Sequence, residues 1–263
     1  MNELLAPAKI NLALVVGPTR PDGRHEVATV LQRISLADRI ALEAATELRV
    51  EGFAEDTIVG QALEELAAAA DTAANWHVTI DKQIPVAAGL GGGSSDAAAA
   101  LRLANWTLHR PLNHSALREL AAGLGADVPF FLTAGPQLGE GDGTELSPLD
   151  LPQDYWILLL LPEGERKRSS GAVYDAFSGE EGFGERRAAL LRALALGDLA
   201  ALPPNDLGSS PLVDELRGHG AFRADVSGAG PSVYGLFAEQ EEALTAHGAL
   251  SGRGRAWLAA PGW

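Results

Sequence analysis

The sequence of 263 residues predicts a mixed α+β protein. Three observations carry that reading. Some short runs place an apolar residue at every second position, and other stretches, rich in Ala and Leu, repeat apolar residues at helical spacing. The two kinds do not simply alternate along the chain. With 46% hydrophobic and 21% charged residues, the composition is that of a globular protein, and the length allows one large domain or two of ordinary size.

Residues 7–16 (Pro7-Ala8-Lys9-Ile10-Asn11-Leu12-Ala13-Leu14-Val15-Val16) read as a strand, followed by the turn signals Gly17-Pro18 and Pro21-Asp22-Gly23. Residues 58–74 read as a helix, because Leu63, Leu66 and Ala70 fall on one face. Val78, Ile80 and Ile84 alternate with polar residues, which predicts a strand ended by Pro85. Helices are expected over 97–108 and 115–124, the second closed by Gly123 and Gly125 as left-handed caps. The polar stretch Leu151-Pro152-Gln153-Asp154 marks a domain boundary, dividing the chain into 1–152 and 153–263. Beyond it come an apolar strand over 156–161, a basic loop Arg166-Lys167-Arg168, a helix over 185–196 and a second glycine-rich segment over 227–235.

Charge and composition narrow the function. Acidic residues number 35 against 20 basic, for a net charge of −15, so general binding to DNA or anionic lipid is not expected. The absence of cysteine removes disulfides, thiolate metal sites and a cysteine nucleophile. The first nine residues do not read as a signal peptide, and the longest apolar run, 155–161, is far short of a membrane span, so a cytoplasmic protein is expected. The six histidines show no metal-binding spacing, and no Gly-x-Ser-x-Gly nucleophile elbow occurs.

The most informative stretch is Pro85-Val86-Ala87-Ala88-Gly89-Leu90-Gly91-Gly92-Gly93-Ser94-Ser95, which joins a predicted strand to a predicted helix. Glycines let the backbone approach a ligand closely, and the open amides at a helix start attract phosphate oxygens. The alternative is a tight connection in which the serines merely cap the helix. Its spelling is neither a P-loop, which needs a Lys inside the loop, nor a dinucleotide fingerprint, which needs a third Gly where Ser94 stands. Asp96, directly after the loop, would repel a bound phosphate unless a cation lay between them, and magnesium would serve.

Asp127, in Gly125-Ala126-Asp127-Val128-Pro129-Phe130-Phe131, sits among apolar residues after a helix end. As a general base it must stay ionised and so needs a positive partner; by spacing alone, the commoner role is an N-cap for the following segment. Lys9, within the first strand, is an ordinary surface lysine if it faces outward and needs a partner if it faces inward.

Taken together these segments resemble the GHMP kinase superfamily. The likeness runs through 7–12, 22–26, 85–97, 125–131, Asn205-Asp206-Leu207 and 227–237, and so spans nearly the whole chain. It implies a two-lobed fold with the active site in the cleft between lobes, an ATP-binding domain over 1–152 and a substrate-binding domain over 153–263. It implies that the loop 85–95 wraps the ATP phosphates with Lys82 near the nucleotide, that Asp127 is the base for the acceptor hydroxyl, and that Lys9 stabilises that carboxylate. Mg²⁺ is expected with ATP, its ligands unassigned apart from Ser95 as a candidate. The segments 7–12 and 22–26 resemble the branch whose acceptor is a cytidine diphosphate conjugate of a methylerythritol, phosphorylated on its 2-hydroxyl during isoprenoid precursor synthesis. In that branch Asn11, His25, Tyr174 and the position of Arg24 would hold the acceptor. Arg24 replaces a tyrosine that stacks on cytosine, and its planar guanidinium could stack instead. Thr57 stands where Asn is usual in adenine binding. Rival readings are another acceptor of the superfamily (homoserine, mevalonate or a sugar) and a noncatalytic nucleotide-binding protein of the same fold.

Overall fold

The computed structural model describes residues 2–54, 58–164, 170–179 and 181–262. Thr57 and the basic loop Arg166-Lys167-Arg168 lie outside the described residues. In chain order the elements are β1 (Asn2–Thr19), β2 (His25–Ala44), β3 (Arg49–Glu51), α1 (Ile58–Ala69), β4 (Trp76–Asp81), α2 (Gly92–Thr107), α3 (His114–Leu124), α4 (Val128–Phe131), β5 (Gln137–Gly141), β6 (Glu145–Pro148), β7 (Trp156–Pro162), α5 (Ser170–Asp175), α6 (Phe183–Leu196), α7 (Pro211–Gly218), β8 (Arg223–Val226), β9 (Val233–Phe237), α8 (Gln240–Leu250) and β10 (Gly254–Ala259).

The chain forms two compact units, and neither is continuous in sequence. One comprises Met1–Ala8, Leu36–Val86 and Gly91–Ala134; the other comprises Lys9–Ser35, Ala87–Leu90 and Gly135–Trp263. Strands β1 and β2 each run through both units, and the 152/153 boundary expected from the polar stretch falls inside the second unit, between β6 and β7.

In the first unit the C-terminal half of β2 pairs antiparallel with β4, Arg39 opposite Asp81 through Ala44 opposite Trp76, and β3 pairs parallel with β4. The period-two pattern of β4 buries Trp76, Val78 and Ile80. Helix α2 packs against α1 and α4. Its Ala-rich sequence suits this place, because small side chains let a helix be buried around most of its circumference, from Ser95 to Ala100 without interruption. Helix α1 stops five residues short of the expected 74: Asp71 adopts a left-handed φ of 51°, which ends the helical turn. Gly125 caps α3 in an extended conformation (φ 167°), not the left-handed one expected, and Gly123 lies within that helix.

In the second unit the N-terminal half of β2 pairs antiparallel with β5, and β5 with β6. A four-stranded antiparallel sheet has the order β10-β7-β9-β8. Its core combines Leu158, Leu160, Val233 and Phe237 with Leu212 and Leu216 of α7 and Ala243, Ala246 and Leu250 of α8. The apolar run of β7 is buried from Ile157 to Leu160, as expected of an inner strand covered on both faces.

Candidate functional site

The glycine-rich loop is divided between the units, Ala87–Leu90 in the second and Gly91 onward in the first. Three of its residues have left-handed backbone. Ala87 takes a left-handed φ of 58°, a region a Cβ disfavours, and Gly89 and Gly91 have φ of 82° and 69°. Helix α2 begins at Gly92, five residues before the expected start, with Gly91 as its N-cap and no side chain capping it. The serines therefore do not cap. Ser94 and Ser95 lie inside the first turn, a place that favours an anion; the Ser95 amide already donates to the Gly91 carbonyl at 2.9 Å, and the buried Ser95 Oγ has no hydrogen-bond partner among the described residues.

Beneath this turn lies a buried charge cluster. Lys82 Nζ donates to Asp38 Oδ2 at 2.5 Å and to Asp96 Oδ2 at 2.7 Å. Asp38 Oδ1 accepts the backbone N–H groups of Gln83 and Ile84 at 2.6 and 2.8 Å. A cation beside Asp96 is thus supplied by Lys82. Burial pushes the Asp96 carboxyl up to about 7 against the pull of Lys82, and the hydrogen bonds to the two carboxylates raise Lys82 despite its own burial.

Asp127 is half-buried at the start of α4 with right-handed helical backbone, and its side chain makes no capping bond to that helix, so the commoner role suggested by spacing does not hold.

In the second unit Lys9 faces inward and is only 5% exposed. Its Nζ donates to Asn11 Oδ1 at 2.7 Å; Asn11 Nδ2 donates to Thr29 Oγ1 at 2.8 Å, which in turn donates to the Ala13 carbonyl at 2.8 Å. The backbone of Lys9 donates to the Leu90 carbonyl at 2.9 Å, so this strand is tied to the glycine loop. The second glycine-rich segment joins the same place. Ser227 Oγ donates to the Gly89 carbonyl at 3.2 Å, and a Cβ on Gly228 would lie 3.1 Å from Asn11 Oδ1 and 3.4 Å from Lys9 Nζ. Gly230 is in direct backbone contact with Ala88 and Gly89, leaving no room for a side chain. Asn205 secures this segment by donating to the carbonyls of Val226 and Gly228 at 3.0 and 2.7 Å.

Two family models, described as "GHMP kinases N terminal domain" and "GHMP kinases C terminal", match residues 57–135 and 186–256. A 4-diphosphocytidyl-2-C-methyl-D-erythritol kinase of Pelotomaculum thermopropionicum is 40% identical to the chain, covering 91% of it and 90% of the relative. The chain belongs to the GHMP kinase family. Another GHMP kinase of the same name, from Nocardia farcinica, is 39% identical over 95% of the chain and 89% of its own length. A solved 4-(cytidine 5'-diphospho)-2C-methyl-D-erythritol kinase superposes with a TM-score of 0.83 and 32% identity, covering all of both chains. The mevalonate kinase of Methanococcus jannaschii (TM-score 0.74, 13% identity, 100% of this chain and 98% of that one) shares the fold.

Within the second unit of this GHMP kinase, two of the expected acceptor residues come together. The rings of His25 and Tyr174 lie 5.9 Å apart, and Phe177, which sequence reasoning missed, meets His25 edge-on at 6.0 Å. His25 Nδ1 is 2.8 Å from the Gly17 carbonyl, which fixes the ring. Phe177 also lines a cavity of about 360 Å³ with Val173, Asp206 and Leu207. Arg24 is on the exposed turn before β2, where its guanidinium pairs with Asp142. Asp38 and Thr29 were missed as well. Neither stands in a glycine-rich or turn motif, and only the pairing of β1, β2 and β4 gives them partners. Among the described residues no group of three or more metal-binding side chains occurs, and no helix is long and apolar enough to cross a membrane.

Proposed function

We propose that this GHMP kinase transfers the γ-phosphoryl group of ATP to the 2-hydroxyl of 4-diphosphocytidyl-2-C-methyl-D-erythritol, a step of isoprenoid precursor synthesis. The observation that carries the chemistry is Lys9, a buried ammonium seated on Asn11 and tied through its own backbone to the glycine loop. The acceptor rests on the relatives of that name, matched over nine-tenths of the chain. GHMP kinases use ATP as phosphoryl donor. In this reading the amides of residues 91–94 and the main chain of 85–90 receive the phosphates, with the helix start favouring negative charge. Lys82 lies directly before that loop.

Asp127 takes the proton of the acceptor hydroxyl, and Lys9 offsets charge developing on the attacking oxygen. Little covalent chemistry is asked of the protein, so alignment and charge neutralisation carry the rate. His25, Tyr174, Asn11 and Arg24 hold the cytidine-bearing acceptor. A magnesium ion would be held by Ser95, whose orphaned buried hydroxyl fits a cation that takes few protein ligands and completes its shell with phosphate and water. When bound it neutralises phosphate charge.

The experiment is a coupled ADP-release assay with magnesium, testing this acceptor, the same polyol without its cytidine, and homoserine and mevalonate. Turnover only with the cytidine conjugate is expected. Turnover with another acceptor overturns the specificity, and no ADP above background from folded protein overturns the kinase reading.

A further inference from the structure

Among the described residues the Asp38–Lys82–Asp96 cluster is the largest buried ionic group to which the proposed reaction gives no role. All three residues belong to the first unit and join three separated parts of it: Asp38 is on β2, Lys82 follows β4, and Asp96 is the fifth residue of α2. The two carboxylates are 0% and 1% exposed and the lysine side chain 15%. The Lys82 ammonium also lies over the Phe53 ring at 5.6 Å, and a Cβ on Gly92 would sit 3.3 Å from its Nζ. The ammonium is therefore packed under the first residue of α2 with two of its three donors committed to carboxyl groups.

We infer that Lys82 is a positioning residue: gripped by Asp38 and Asp96, it sets the direction of the first turn of α2 and so aims the amides that receive phosphate, without itself serving as the phosphate ligand. The inference rests on the reading of residues 85–95 as the nucleotide loop. Three features support it. First, Asp38 binds the chain on both sides of the problem, taking Lys82 on one oxygen and the amides of Gln83 and Ile84 on the other, which orients the strand leading into the loop. Second, burial favours the uncharged form of Asp96 and Lys82 offsets the charged one, so the acid can sit one turn from the anion site with little repulsion of the ligand. Third, a lysine held by two buried carboxyl groups loses pairing energy if it swings away, because both hydrogen bonds to buried partners are given up.

The test is a double-mutant cycle on ATP affinity, measured by titration calorimetry beside thermal unfolding and amide exchange of the ligand-free protein. Lys82→Met should weaken ATP binding about tenfold or more, on the scale of one lost charge-assisted bond, and should speed exchange at the Ser95 to Ala97 amides. In an Asp96→Asn background the same substitution should cost much less, because the acid needing compensation is gone. Equal losses in both backgrounds would show the ammonium acting on phosphate directly and would overturn the inference. If Lys82→Met does not fold, Asp38→Asn decides. Its side-chain oxygen still accepts the Gln83 and Ile84 amides, but it no longer anchors the lysine charge. Positioning predicts several-fold weaker ATP binding and faster exchange at Ser95 to Ala97; a lysine that binds phosphate would, once released, hold ATP as tightly or more tightly. Wild-type protein that binds no ATP defeats the loop assignment itself, an outcome distinct from all of these.

Discussion

In the proposed reaction two charged side chains, Asp127 and Lys9, set the chemistry, and each can be removed by a single substitution. Asp127→Asn keeps the volume and loses the base. It should lower kcat by about 10²-fold or more while leaving ATP affinity within about twofold, the scale of a positioned general base; an undiminished kcat would return Asp127 to a structural role. Lys9→Ala removes a buried ammonium and leaves the Asn11 amide oxygen without its donor, so turnover and melting temperature should both fall. A lowered Tm with full turnover would make Lys9 structural only. Asp96 carries a pH prediction. Its folded value of about 7 lies above the value near 4 of an exposed aspartate, so between those limits the folded protein binds the extra proton. Stability from this group is therefore present at low pH and lost as pH rises through that window. Asp96→Asn should raise Tm at about pH 7.5 more than at about pH 5, and an equal change at both would show that Asp96 is not protonated on folding.

At the scale of elements, the glycine loops differ sharply from the helix glycines. Gly230→Ala places a methyl against backbone atoms of Ala88 and Gly89, which cannot rotate away, so it should lower Tm by several degrees and weaken ATP binding. Gly123→Ala, inside α3 with open space at its Cβ, should stabilise by about 0.5–1 kcal/mol. Unfolding curves of the two variants measured together test both statements. Local signals located β4 and most of α1 by their periodicity, β7 by its apolar run, and most of α2, α3 and α6 by their composition and end signals. The long strand β2 went unread, since its residues are buried on both faces over much of its length and so lack a clear alternation. The start of α2 differs from expectation for another reason: Gly92 and Gly93 are poor helix formers by themselves, and the bond from Lys82 to Asp96 joins two segments 14 positions apart.

For the whole molecule, the net charge of −15 is the dominant long-range feature. Self-repulsion of that size is screened within about 10 Å at 0.1 M salt. Raising the salt from about 20 to 200 mM should therefore raise Tm; a fall would mean that the ion pairs outweigh the net repulsion.

The loop assignments were legible in the sequence because glycine's freedom at positive φ and the anion preference of a helix start are properties of a few consecutive residues. So were the candidacies of Lys9 and Asp127, though not their surroundings. Whether Lys9 faced inward, and that the carboxylate opposite Lys82 would come from Asp38, 44 positions away, only the tertiary structure decided. A charge is stabilised or penalised by whatever strand pairing brings against it, and that information is spread across the chain rather than written beside the residue.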